Sequence, residues 1–238
     1  MPKELTSFFT TKVIKRPSPE SVTYDLTTSH ETRITLPTGS KWSSGLHWHE
    51  THTEYLRILK GRVKVILEGE ELIIDAKSSS EAITVTVPRG ARHEWSRADA
   101  AFGDDVVVVE STDPSDGEKQ VFFWCVNGTV LEGMRNIESS SSRLARLFYG
   151  WLLWWRLCLI FRELDNWPVL LDTGIWSKAV PGVREIETWF TWATLFLTTI
   201  VGCFCGMRGV RKEFLPGEVW DRWYVIKTMG TALYVQDE

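Results

Sequence analysis

The 238-residue chain is poor in cysteine and methionine, with four of each, and it carries no excess of basic charge. Cysteines at 125, 158, 203 and 205 do not make a disulfide framework. Lys and Arg number 27 against 31 Asp and Glu, a net charge of −4, so no basic field exists and no nucleic-acid partner is expected. At 24% charged and 43% apolar residues, the chain is neither disordered nor wholly membrane-embedded. From Met1 to Arg16 there is no apolar h-region and no small-residue cleavage site. No secretory signal is therefore expected, and the first half should start in the cytosol. What is abundant is tryptophan: 13 residues, most of them in the last hundred positions.

The character of the chain changes at Ser139-Ser140-Ser141-Ser142. Before it, short apolar stretches alternate with Gly, Pro and charge. Segments 22–26, 32–36, 45–49, 54–59, 62–67, 71–75, 82–87, 92–96, 106–111 and 120–126 read as strands, with no amphipathic helix among them. That spacing predicts an all-β sandwich or barrel. Asp113 to Gly117 reads as a hairpin turn. After the Ser run come long Trp-rich stretches, 147–161, apolar apart from Arg156, and 189–207, free of charge. The expected division is an arm with a leading strand over 1–29, a barrel over 30–138, a linker over 139–146 and a helical region over 147–238.

Four of the five histidines fall in two places, His47-Trp48-His49-Glu50-Thr51-His52-Thr53-Glu54 and Pro88-Arg89-Gly90-Ala91-Arg92-His93. On a strand His47 and His49 project from one face. Glu54 opens the next strand after a short polar turn, and Leu56 and Ile58 share its parity. The Pro88-x-Gly90 turn delivers His93 onto another strand. Three imidazoles and a carboxylate make a competent transition-metal site with open positions. His52 lies in the turn, as a solvent-exposed residue or a weak candidate for a general base. Trp48 has the opposite parity and should pack outside the barrel, while Trp95 shares the parity of His93 and should wall the pocket. Arg57, Arg89 and Arg92 read as solvated.

These residues resemble the cupin motifs. His47, His49, Glu54 and Gly61 match H-x-H-(x)4-E-(x)6-G, and Pro88, Gly90 and His93 match P-x-G-x-x-H. Lys41, Ala82 and Arg97 stand where the family has Gly, Gly and Asn, none of them a ligand position. The likeness covers roughly residues 30–127. It implies a mainly β fold, a single double-stranded β-helix (jelly-roll) barrel, here followed by an α-helical hydrophobic C-terminal region. It implies His47, His49, Glu54 and His93 as ligands of one divalent transition metal, Fe(II) first, with Mn, Ni, Cu or Zn as alternatives. The chain also resembles small fungal cupins of secondary-metabolite pathways. The implied function is an oxidoreductase or oxygenase acting on a small apolar metabolite. The alternatives are a Lewis-acid isomerase, lyase or cyclase, and a non-catalytic membrane-tethered binder.

Residues 189–207 are long enough to cross a hydrocarbon core, with Trp189 and Trp192 at one end and Arg208, Arg211 and Lys212 at the other. Residues 147–161, with Trp151, Trp154 and Trp155, suit a re-entrant or interfacial depth. The expectation is a membrane-associated protein, of the endoplasmic reticulum for example, with the barrel on the cytosolic side. A buried core helix or a homodimer interface is the competing reading of the same runs.

Overall fold

Alternation decides the first half of the chain. In Glu31–Leu36, Thr32, Ile34 and Leu36 are buried while Arg33 points to solvent, the period-two signature of a strand with one wet face. The computed structural model describes residues 12–77, 82–99 and 103–229. The stretch 1–11, which carries most of the expectation about a leader, lies outside them.

Among the described residues, nine strands precede the first helix: β1 (Val13–Arg16), β2 (Val22–Asp25), β3 (Glu31–Leu36), β4 (His47–Trp48), β5 (Thr53–Leu67), β6 (Glu70–Ala76), β7 (Ile83–Val87), β8 (His93–Arg97) and β9 (Val106–Asp113). Their pairings are antiparallel. One sheet runs β1-β2-β3-β9-β5-β7. The other runs β6-β5-β8-β4 and ends on β10 (Trp167–Pro168). The 15-residue β5 belongs to both and changes sheet near Gly61. Gly61 has φ +85°, and a Cβ there would lie 2.9 Å from Val106 Cγ2 and 3.0 Å from the facing backbone, so only glycine fits the crossing. Between the sheets lie Leu36, Leu56, Ile58, Val65, Trp95 and Val108, all at most 1% exposed.

The helical half departs from the expected strand over 120–126. That run lies inside α1 (Glu118–Ser139). Val121-Phe-Phe-Trp-Cys-Val is β-prone by composition, but burial continues through Asn127, Gly128, Thr129 and Gly133, which a helix docked on the barrel provides. Phe123 packs 5.1 Å from the Tyr24 ring, and Gln120 Nε2 donates to the Leu26 carbonyl at 3.1 Å. Asp113–Gly117 is accordingly a strand-to-helix connection, not a hairpin turn. Ser140–Ser142 turns the chain into α2 (Arg143–Glu163), which packs back on α1, with Arg156 bonded to Glu132 at 2.6 Å. The short α3 (Ile175–Ala179) precedes α4 (Val183–Phe204). The run expected over 189–207 thus starts inside α4, and Met207 lies past its end. Among the described helices, Arg143–Glu163 is the one long and apolar enough to cross a membrane by length and composition. Finally α5 (Gly217–Met229) lays Val219 and Trp223 on the core, and Phe214 seats on Gly128, where a Cβ would lie 2.5 Å from its ring.

Candidate metal centre

Register brings the two histidine motifs together. His47 on β4 pairs directly with His93 on β8, and Glu54 opens the neighbouring β5. His47, His49, Glu54 and His93 are all buried, and one ligand atom from each lies within 4.8 Å of the others. Ring centroids are 4.1 Å apart for His47 and His93, 5.0 Å for His47 and His49, and 5.3 Å for His49 and His93. An ion with bonds of about 2.1 Å holds ligands up to about 4.2 Å apart, so closing on it asks for shifts of a few tenths of an ångström.

The tautomers decide what the cluster wants. His47 Nδ1 lies 2.7 Å from the Gly45 carbonyl, His49 Nδ1 2.5 Å from the Asp165 carbonyl, and His93 Nδ1 3.2 Å from the Ala91 carbonyl. A carbonyl only accepts, so each Nδ1 carries the proton and donates it. The Nε2 atoms then face the cluster. His93 Nε2 lies 2.7 Å from Glu54 Oε2, and His49 Nε2 is buried with no hydrogen-bond partner. Burial, with His93 and His49 alongside, lowers the His47 pKa well below the usual imidazole value, and burial lowers that of His49. Burial alone would raise Glu54, but the Lys119 ammonium, with His49 and His93 close by, holds it well below the carboxylate range. Ring nitrogens of three histidines and a carboxylate therefore converge on one point, with His93 and Glu54 already in contact. The donor set fits a divalent cation.

Several residues around this cluster carry no local sequence signal. Lys119, on the first turn of α1, reaches inward and pairs with Glu54 and, at 3.0 Å, with Glu110. Glu110 went unread although β9 alternation, with Val106 and Val108 buried, was the signal that could have found it. It accepts from Trp95 Nε1 at 2.7 Å, so Trp95 walls the site from the β8 side. Asp165 follows α2 and accepts from Glu50 N at 2.8 Å, Thr51 N at 2.9 Å and Thr51 Oγ1 at 2.7 Å.

His52 is neither exposed nor free, contrary to the reading of it as an open turn residue. It is 5% exposed, with Nδ1 2.8 Å from Asp165 and Nε2 3.1 Å from Asp116. Burial would lower its pKa, yet these two carboxylates push it up to about 9. With both nitrogens bonded to carboxylates, it ties the turn before β5 to Asp116 and Asp165. Trp48 lies off the barrel core as expected, but buried under the Trp167 ring at 6.3 Å. Arg92, expected in solvent, is buried and bound to Glu187 of α4, with Nη2 donating to Thr188 Oγ1 at 3.0 Å and the Arg184 carbonyl at 3.1 Å. Arg97, in place of the motif's Asn, donates to the Leu36 carbonyl at 2.8 Å. A small cavity beside His49 is lined by His52, Thr112, Glu118, Lys119, Phe122, Leu164, Asp165 and Asn166, with room for about one water. Burial, with Asp116 nearby, raises the Glu118 carboxyl to about 7.

No family model matches this chain, and no curated protein matches it. Solved structures do. CapF, a capsular polysaccharide assembling protein from Staphylococcus aureus, is 17% identical with a TM-score of 0.32, over 42% of this chain and 30% of CapF. The chain thus spans less than a third of that relative's length. A predicted oxalate decarboxylase from Thermotoga maritima is 21% identical with a TM-score of 0.32, over 44% of this chain and 93% of that one. The cupin domain of Schizosaccharomyces pombe Cnp3 is 12% identical with a TM-score of 0.28, over 45% and 67%. At such scores no activity carries over, and the assignment of the site rests on the residues of the cluster itself.

Proposed function

We propose that the chain is a metal-dependent cupin enzyme, an oxidoreductase of oxygenase type acting on a small metabolite of largely apolar body. The observation that supports it best is the proton inventory of the cluster, in which three rings give their Nδ1 protons to carbonyls and turn their other nitrogens toward one carboxylate. His47, His49, Glu54 and His93 would hold the ion, ferrous iron by preference. When bound, the ion supplies Lewis acidity and, if iron, one-electron chemistry with dioxygen. The chain's own residues do the rest. Phe122 and Leu164 keep the cavity to about one water, Lys119 offers charge to an acidic or hydroxylic group, and the Glu118 carboxyl holds or releases a proton near neutrality.

The test is metal analysis of the purified full chain and of a His47→Ala plus His93→Ala variant. One divalent ion per chain is expected, absent from the variant while its circular dichroism is unchanged. A folded wild-type chain that purifies metal-free and cannot be loaded with iron, manganese, nickel, copper or zinc would remove this reading. A second reading, a non-catalytic small-molecule binder, is favoured by one observation: Lys119 already neutralises Glu54, and the cavity is nearly closed. Comparing metabolites of cells with and without the protein separates the two. A single accumulating precursor supports the enzyme, and an unchanged profile supports the binder.

A further inference from the structure

The α4 helix is inside out. Its buried stripe is Glu187, Thr191, Leu195, Thr198 and Gly202, spaced by three and four residues and mostly polar or small. Thr191 Oγ1 donates to the Pro168 carbonyl at 3.1 Å, and Gly202 lets the Leu159 side chain of α2 approach to where a Cβ would be 2.9 Å away. The opposite stripe is large and apolar: Ile186, Trp189, Phe190, Leu197, Ile200 and Phe204, from 38% to 88% exposed. In water an amphipathic helix buries its apolar stripe against the core. Small and polar residues toward the neighbouring helix and bulky apolar ones outward is the arrangement of a helix whose solvent is lipid.

The surface continues onto α2. Leu144, Leu147, Phe148, Trp151 and Trp154 recur at three- and four-residue spacing and are 43–78% exposed. Trp155 of α2 lies 3.6 Å from a Cβ built at Gly202, so α2 and α4 pack on each other while each leaves its apolar stripe open. Two such stripes of large apolar side chains on packed neighbours are more than the scattered single residues a soluble surface carries without explanation. Their tryptophans suit a bilayer. Trp189 and Trp192 lie in the barrel-side half of α4, and Trp151 and Trp154 midway along α2, residues that favour the headgroup depth. Arg143, Arg146 and Arg208 are exposed at the far end, without a carboxylate partner among the described residues.

The segment after α4 limits the depth. The chain turns at Gly206, with φ +67°, and returns along α1. Arg211 Nη1 donates to Glu132 at 2.6 Å, and Glu132 also holds Arg156 of α2. A spanning arrangement would carry this Arg–Glu–Arg network into hydrocarbon, whereas an in-plane one leaves it above the headgroups. We propose that the outer face of α4 and the distal half of α2 dock in the plane of a bilayer rich in anionic lipid, entering one leaflet and holding the barrel outside. This does not depend on the metal chemistry.

The test is flotation of the full chain with vesicles of phosphatidylcholine, alone or mixed with phosphatidylserine. Wild type should float, more strongly with phosphatidylserine. A Leu197→Asp plus Phe204→Asp variant should lose vesicle partitioning by on the order of tenfold or more. Leu72→Asp, on an exposed apolar position of β6, should float as wild type does. An unchanged melting temperature shows that the variants fold. On vesicles, an added protease should cut between residues 205 and 216. The proposal is overturned if wild type stays unbound, if the double variant floats equally, if residues 205–216 are protected as in a spanning hairpin, or if the face only holds two copies together without binding vesicles.

Discussion

Removing Arg92 tests how the helical half is fastened to the barrel. In Arg92→Met, the Glu187 carboxylate stays 1% exposed and loses the cation bound to it. Stranding one member of a buried pair costs about 3–5 kcal/mol. Thr173 N at 2.9 Å, Thr173 Oγ1 at 2.5 Å and Ser177 Oγ at 2.9 Å still donate to that carboxylate, which places the loss at the lower end, about 3 kcal/mol. For a chain of this size that is a fall in melting temperature of roughly 6–12 °C. Burial would raise Glu187, but Thr173, Arg92 and Ser177 bring it down to about 2. A carboxyl depressed in the folded state adds stability above its unfolded value, near 4.5, and that contribution drains away as pH falls toward 2. Glu187→Gln has no such group, so the gap in stability between wild type and Glu187→Gln should narrow as pH falls. Calorimetry at several pH values reads both effects. A melting temperature for Arg92→Met within about 2 °C of wild type, or a gap that stays constant between about pH 6 and pH 3, refutes the argument.

Three other outcomes are expected from the same geometry. Lys119→Met removes a cation from beside Glu54, and chelator competition should show metal held about tenfold more tightly, alongside lower stability. Asp165→Asn exchanges the charged acceptor that serves Glu50 N, Thr51 and His52 for an amide, and denaturant titration should show a loss of about 2–3 kcal/mol. Gly61→Ala forces a Cβ against the Val106 backbone at a left-handed φ, so thermal unfolding should reveal a loss of at least about 2 kcal/mol.

The ligand positions were legible because strand parity and motif spacing are local: His47, His49, Glu54, Leu56 and Ile58 all turn inward as alternation requires. The error at 120–126 came from judging a short apolar run by composition, which cannot separate a buried strand from a buried helix. The decision lay in tertiary contacts with Tyr24 and Leu26 about a hundred residues earlier. His52 failed for the same reason. Its partners, Asp116 and Asp165, stand 64 and 113 residues away, and nothing near it announces them. The Ser run did mark a change of composition, but the structure turns it into a helix hairpin, with the strand-to-helix passage earlier, at residues 114–117.

The bond from His49 Nδ1 to the Asp165 carbonyl joins positions 116 apart in the chain. Its consequence is that ring orientation at the heart of the barrel is dictated by a peptide group from the helical portion. Excising residues 12–113 as a stand-alone fragment would leave that imidazole to spin and choose its proton site afresh, and would strip Glu54 and Glu110 of their shared counter-charge. The four side chains would still be encoded, yet the pocket they form is joint property of the two halves.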